Sequence, residues 1–180
     1  MISRRNIRVK VMQTVYAVSA LEKDIQLQES SKILQNYFNE SRSLLVYLTW
    51  FLTEVARYAE TYSHHKASKH LPTAEDLSIN TKIAGNELLW KMLNDPALQE
   101  QFKKEKPELK ADKELIRKLY LQLAGTPEYK EYITTEGRDK NSEKKIIEFI
   151  LNDVLLPNDV FLAHIEETFA NWDNDGEMVV

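Results

Sequence analysis

The chain has 180 residues, 43% hydrophobic and 29% charged, which is the composition of a globular protein with a buried core. Its 4 glycines and 5 prolines are too few for an all-β fold, and they argue against a glycine-rich phosphate loop. The absence of cysteine excludes disulfides, a thiol nucleophile and a cysteine zinc site, and it fits a cytoplasmic protein. The formal net charge is −4, yet the first 21 residues carry four cations and no acid.

The first predicted element is a helix that Ser3 caps and that ends near Leu21. Apolar residues recur at helical spacing and predict a buried stripe formed by Ile7, Val11, Val15 and Val18, widened by Met12 and Tyr16. The Arg-Arg start resembles an export signal, but Gln13 and Thr14 interrupt the apolar run that such a signal needs. The longest apolar run of the chain, near Leu48, is too short to span a bilayer.

A longer helix is predicted from near Ser30 to near Tyr62, with a weak point around Asn39–Ser41. A loop at 64–81 follows, and then shorter helices at about 81–94, 96–104 and 112–124. Pro127 opens another short helix, because proline is favoured at the first helical position. The last predicted helices start near Ser142 and at Asn158 or Asp159, and the segment 172–180 has the pattern of a further helix start. The sequence therefore predicts an all-α helical bundle.

Three arginines in the first turns of the first helix oppose its dipole, so they require nearby acids or an external polyanion. Arg4 and Arg8 lie four residues apart on the stripe that Val11 continues, and Arg5 lies beside it. Arginine donates bidentately to phosphate and stacks on bases, which favours a nucleic acid. The alternative is a solvated basic end that pairs with acids of a neighbouring helix.

The residues Arg4-Arg5-x-x-Arg8-Val9-Lys10-Val11-Met12-Gln13-x-x-Tyr16-Ala17 resemble the opening helix of the transcription antitermination factor NusB family. That helix typically reads Arg-Arg, a short gap, Arg, and then a hydrophobic-Gln-hydrophobic-Tyr-Ala pattern. The version in this chain is most similar to the longer NusB proteins of Bacteroidetes-type bacteria. The stretches 70–73, 80–83 and 171–173 are similar to the same branch.

The resemblance implies an all-helical protein that binds the single-stranded boxA element of nascent RNA, together with ribosomal protein S10 (NusE) and the transcription elongation complex. The side chains that match the motif, and that the resemblance assigns to RNA, are Arg4, Arg5, Arg8, Lys10, Gln13 and Tyr16. The implied organisation is a NusB-like helix pair at 1–66 and an enlarged helical region at 67–180. A conserved C-terminal helical subdomain is expected beyond residue 180, and it would hold much of the S10 surface.

Two other functions stay open. In one alternative, the chain is the RNA-binding module of a larger enzyme, because NusB-like helical domains also precede the catalytic domain of some bacterial RNA methyltransferases. In the other, it is a helical interaction domain whose sole role is to dock a protein partner. No nucleophile–base arrangement is visible in the chain itself, so no enzymatic activity and no cofactor are predicted. His64, His65 and His70 fall in one predicted loop without a zinc spacing, and His164 lacks the second histidine of a zincin motif, so no metal site is predicted.

Overall fold

The computed structural model describes residues 3–20 and 27–180. Within these ranges the chain forms ten α-helices and no strand, which confirms the predicted all-α fold class. The helices are α1 (Arg4–Ala20), α2 (Leu27–Ala67), α3 (Ala74–Leu77), α4 (Glu87–Asn94), α5 (Pro96–Glu105), α6 (Lys113–Gly125), α7 (Pro127–Thr134), α8 (Lys140–Phe149), α9 (Asp159–Thr168) and α10 (Trp172–Val179). Two 3-10 helices, Lys82–Gly85 and Pro107–Leu109, lie between them, and a π-helical turn, Ile150–Leu155, follows α8.

Helix α2 is longer than predicted at both ends and has no break at its expected weak point. The hydroxyl oxygen of Ser41 lies 2.9 Å from the carbonyl oxygen of Tyr37, one turn earlier, so the side chain of this serine stays against its own helix and does not interrupt it. The predicted loop at 64–81 is correspondingly shorter and contains α3. The predicted end of the first helix at Leu21 lies outside the described residues.

Polar side chains set the starts of the shorter helices. Asn86 divides the predicted helix 81–94, because its side chain accepts from the backbone N–H groups of Leu88 and Leu89 and caps α4. Thr126 caps α7 with Pro127 in the first turn, as the sequence predicted. The side-chain oxygen of Asn158 accepts from the N–H of Phe161 at 3.0 Å, which confirms the predicted start of α9.

Helix α3 has only four residues and is held by a capping box. The hydroxyl of Thr73 accepts from the N–H of Asp76, and the carboxylate of Asp76 accepts from the N–H of Thr73. The ammonium of Lys69 donates to both carboxylate oxygens of Asp76 at 2.9 Å. The hydrogen bonds from Lys69, and then those from Thr73, lower the pKa of Asp76 from 3.8 to about 2.

We therefore expect Asp76 to be protonated only near pH 2 in an NMR titration of the folded protein. Because the folded-state pKa lies below the unfolded one, the stability it contributes is complete above pH 3.8 and is lost as the pH falls towards 2. Lys69→Met should raise the pKa of Asp76, because it removes the largest cause of the shift. Titration of Asp76 near its ordinary value in the unmodified protein would contradict the capping box.

The described contacts divide the chain into two compact units. The terminal unit comprises Met1–Leu45 with Glu166–Val180, and the central unit comprises Val46–Ile165. The boundary between the two units falls within α2, and it separates groups of residues that contact one another. The predicted boundary at residue 66 instead separates a NusB-like helix pair from an enlarged region, and it stays a prediction.

The central unit has a core of buried aromatic and aliphatic side chains. Phe51 is fully buried, and its ring centroid lies 5.0 Å from that of Phe161. Tyr47 is also buried, and its hydroxyl lies 2.6 Å from Nε2 of His164. Burial raises the pKa of Tyr47 well above its usual range, so it stays a neutral hydrogen-bonding group. The ring of His164 also packs near those of Tyr47 and Phe51, with centroids 5.9 Å and 6.2 Å away.

A buried carboxylate joins α4, α7 and α8 in the central unit. Glu143 accepts from the backbone N–H of Glu87 and from the hydroxyl of Tyr132, both at 2.7 Å. Arg138 donates to both oxygens of Glu143 at 3.2 Å. The amide of Asn86 donates to the backbone carbonyl of Glu143 at 3.0 Å. The polar groups of this cluster are thus paired with one another, which is the condition for burying them at acceptable cost.

Candidate nucleic-acid interface

Helix α1 begins with three exposed arginines. The hydroxyl of Ser3 accepts from the N–H of Asn6 at 3.1 Å and confirms the predicted cap. No acidic residue lies in the first turn of α1. Within the part of the chain that the structure describes, Arg4, Arg5 and Arg8 form no ion pair. The alternative in which neighbouring acids neutralise these arginines therefore finds no support among the described residues.

The fully buried positions of α1 are polar, and the predicted apolar stripe is wrong over its first three members, while its fourth, Val18, is half-buried. Lys10 is 1% exposed and Thr14 is 6% exposed, whereas Ile7 is 43% and Val15 56% exposed. Val11 is also exposed. Thr14 satisfies its hydroxyl inside the helix by donating to the carbonyl of Lys10 at 2.8 Å. The helix is thus turned so that Ile7, Val11 and Val15 face outwards.

The exposed side of α1 combines cations with apolar side chains. With 3.6 residues per turn, one row carries the two arginines of the predicted stripe and continues through Val11 to Val15. A second row carries Arg5, Met12 and Tyr16, and Tyr16 is 79% exposed. We call this surface the outer face of α1; it comprises Arg4, Arg5, Arg8, Val11, Met12, Val15 and Tyr16.

A buried ion pair holds the inner face of α1. The ammonium of Lys10 contacts Oδ1 of Asp175, and Asp175 is 0% exposed. The other oxygen, Oδ2, accepts from the hydroxyl of Ser41 at 2.7 Å and from the amide of Asn171 at 2.6 Å. The ammonium also lies 5.5 Å from the ring centroid of Tyr37. This ion pair and its hydrogen bonds therefore join α1, α2 and α10 in the terminal unit.

Helix α10 carries a glycine next to Asp175 with a ring packed against it. A Cβ atom on Gly176 would lie 3.2 Å from the ring of Trp172, which is closer than most Cβ contacts in proteins. The lack of a side chain at residue 176 therefore lets Trp172 pack closely on the backbone of α10. The sequence predicts a helix start in this segment but no role for Asp175.

The structure separates the six residues that the resemblance assigned to RNA. Arg4, Arg5, Arg8 and Tyr16 are exposed and lie on the outer face. Lys10 is different: its ammonium is buried against Asp175, and in this arrangement it cannot reach RNA. Gln13 is half-buried on the inner side, and its Oε1 has no hydrogen-bond partner among the described residues.

The other candidate positions bring no further chemistry together. His64 and His65 lie in the last turn of α2, where an open groove of about 460 Å³ runs beside them, and His70 follows the helix. Among residues 3–20 and 27–180, no three histidine or acidic side chains converge as metal ligands. A second groove of about 430 Å³ lies between α7 and α8, and its mixed lining, which includes Glu131, Lys145 and Phe149, includes no unpaired buried polar group among the described residues.

The chain has no match among the known proteins with which it was compared. No protein-family model, no curated protein and no solved structure matches the chain. Of the helices described, none combines the length and the apolar character needed to cross a membrane.

Proposed function

We propose that this chain is a non-enzymatic, cytoplasmic RNA-binding factor of the NusB type, which acts in transcription antitermination together with ribosomal protein S10. The outer face of α1 is the surface that captures single-stranded RNA resembling boxA. One observation carries the proposal: three exposed arginines without an acidic partner among the described residues share a helix face with an exposed tyrosine. Arginine neutralises phosphates, and an exposed aromatic ring stacks on unpaired bases.

Arg4→Ala, Arg5→Ala and Arg8→Ala combined should weaken binding of a single-stranded RNA oligonucleotide by about tenfold or more, because phosphate contacts supply much of the affinity. The slope of log affinity against log salt should become flatter by about 2, since each phosphate contact on a single strand contributes roughly 0.7. Fluorescence anisotropy over a salt series measures both quantities. The substitutions leave α1 intact, because removing cations from a helix N-terminus favours the helix.

A matched control removes the same charge elsewhere. Lys91, Lys103 and Lys104 are exposed in the central unit, and their combined replacement by alanine should change the slope much less. Tyr16→Ala should cost about 1–3 kcal/mol of binding free energy if a base stacks on the ring, whereas Tyr16→Phe should keep the affinity. Equal slopes for the arginine and lysine triple variants would refute RNA binding at the outer face.

The exposed aliphatic residues of α1 favour protein docking as a second candidate function. Ile7, Val11 and Val15 expose apolar surface that RNA does not require. If a protein covers the outer face, Val15→Ser should abolish that complex and leave RNA affinity unchanged. If instead no protein complex forms and the triple arginine variant loses RNA affinity, the result supports the RNA proposal.

A further inference from the structure

Helix α1 has two faces that compete for the interior of the terminal unit. The inner face, which is buried in the structure, carries Lys10 and Thr14. A different rotation of α1 about its axis would instead bury the aliphatic row Ile7, Val11 and Val15. Apolar burial alone favours the second arrangement, because it removes aliphatic surface from water and leaves the lysine solvated. The two faces are about a quarter of a turn apart on the helix. A specific interaction must therefore hold α1 in the orientation that the structure shows.

The ion pair with Asp175 is that interaction. The carboxylate of Asp175 has one oxygen on the ammonium of Lys10, and its other oxygen is taken by Ser41 and Asn171. Ser41 belongs to α2, and Asn171 precedes α10, so the carboxylate is fixed from two elements before α1 contributes. Among the described residues of the inner face, Lys10 is the one charged group that meets this carboxylate, and the hydroxyl of Thr14 bonds within α1.

We propose that Lys10 and Asp175 are positioning residues that select the rotation of α1 and thereby keep Arg4 and Arg8 at the surface. The half of this inference that concerns RNA rests on the proposed function, and the half that concerns rotation does not. Without the ion pair, α1 turns by about a quarter of a turn and buries its aliphatic row. Arg4 and Arg8 lie next to that row on the helix, so the same turn carries them towards the interior.

Cysteine labelling reports the rotation directly, because the natural chain contains no cysteine. Val15→Cys places a thiol on the outer face, and Gln13→Cys places one on the half-buried inner side, at a position that the turn would carry away from the interior. With Lys10 present, N-ethylmaleimide should modify the thiol of Val15→Cys faster than that of Gln13→Cys. Adding Lys10→Met, which removes the charge and keeps an unbranched chain, should reverse this order.

The outcomes separate rotation from simple loss of structure. If both thiols become equally and highly reactive, α1 has detached, the ion pair is only a structural contact, and the inference fails. An unchanged order of rates in Lys10→Met also overturns it. Asp175→Asn removes the other charge of the ion pair and should give the same reversal. A reversal in both variants shows that the methionine side chain is not its cause.

RNA affinity then tests the link to function. In Lys10→Met without cysteines, affinity for the same single-stranded RNA should fall by roughly tenfold, as expected when two of the phosphate contacts are lost. Reversed labelling with unchanged RNA affinity would support the rotation and refute the proposed function. Unreversed labelling, with RNA binding still dependent on the three arginines, would refute the rotation and leave the proposed function standing.

Discussion

Glu143→Ala is expected to lower the free energy of unfolding by about 3 kcal/mol, since each buried donor left without an acceptor costs about 1–3 kcal/mol. Two donors lose their acceptor: the buried hydroxyl of Tyr132 and the partly buried backbone N–H of Glu87, each 2.7 Å from the carboxylate. Arg138 adds less to the loss, because its half-buried guanidinium can regain water. Urea denaturation followed by circular dichroism measures the change.

Glu148→Ala is the matched control, on the same helix α8. Glu148 pairs with Lys144 at 3.1 Å across an exposed surface, and such a pair is worth about 1 kcal/mol or less. Both variants exchange glutamate for alanine in one helix, so their difference isolates the buried contacts. Equal losses in the two variants would contradict the role assigned to the Glu143 cluster.

The same variant changes the response to alkaline pH. Burial, and then the hydrogen bond to Glu143, raise the pKa of Tyr132 above its usual 10.0. A raised folded-state pKa contributes stability that is complete below pH 10 and lost as the pH rises further. Glu143→Ala removes part of this shift, so the deficit of the variant should stay constant just above pH 10 and shrink once the pH passes the Tyr132 pKa of the folded variant. Ultraviolet titration of the tyrosines reports the pKa itself.

Phe51→Ala should lower the free energy of unfolding by about 3–5 kcal/mol, the usual cost of removing a buried phenylalanine ring. Phe51 is fully buried and lies between the rings of Phe161 and Tyr47, at 5.0 Å and 5.9 Å between centroids. The cavity that remains cannot be filled by α2, whose backbone is fixed by its own hydrogen bonds. Thermal and urea denaturation both measure the loss.

Two comparisons make the Phe51 experiment specific. Phe51→Leu keeps much of the volume and should cost about 1 kcal/mol. Leu77→Ala removes an exposed apolar side chain and should change stability by less than about 0.5 kcal/mol. If Phe51→Ala behaved like Leu77→Ala, the described core of the central unit would be wrong.

The helices that could be predicted from the sequence are those whose start has a local chemical signal. Thr126 with Pro127 and the side chain of Asn158 mark their helix starts within four residues, so the chain carries the signal by itself. Apolar residues at helical spacing after Ser142 also predict a buried face, and Ile146, Ile150 and Val154 are buried in the structure, whereas Phe149 is half-buried. Asn86 was missed as a boundary, because the residues around it also fit a continuous helix.

The orientation of α1 could not be predicted from the same kind of signal. Helical spacing predicts that Ile7, Val11 and Val15 face inwards, because the apolar face of an amphipathic helix is usually the buried one. The opposite result depends on Lys10 meeting Asp175, which is 165 positions away in the chain. No local pattern pairs two such residues, and a lysine next to arginines resembles part of a basic surface. The error about Lys10 in the candidate site has the same origin.

The arginines at the start of α1 give salt two opposite effects. Their interaction with the helix dipole is unfavourable, and dissolved ions screen it, so added salt should strengthen the helix. Added salt also competes with phosphate contacts, so it should weaken the proposed RNA complex. Conditions in which α1 is most stable on its own are therefore those in which it holds RNA least tightly. The basic start of this helix exchanges folding stability for the capacity to bind a polyanion.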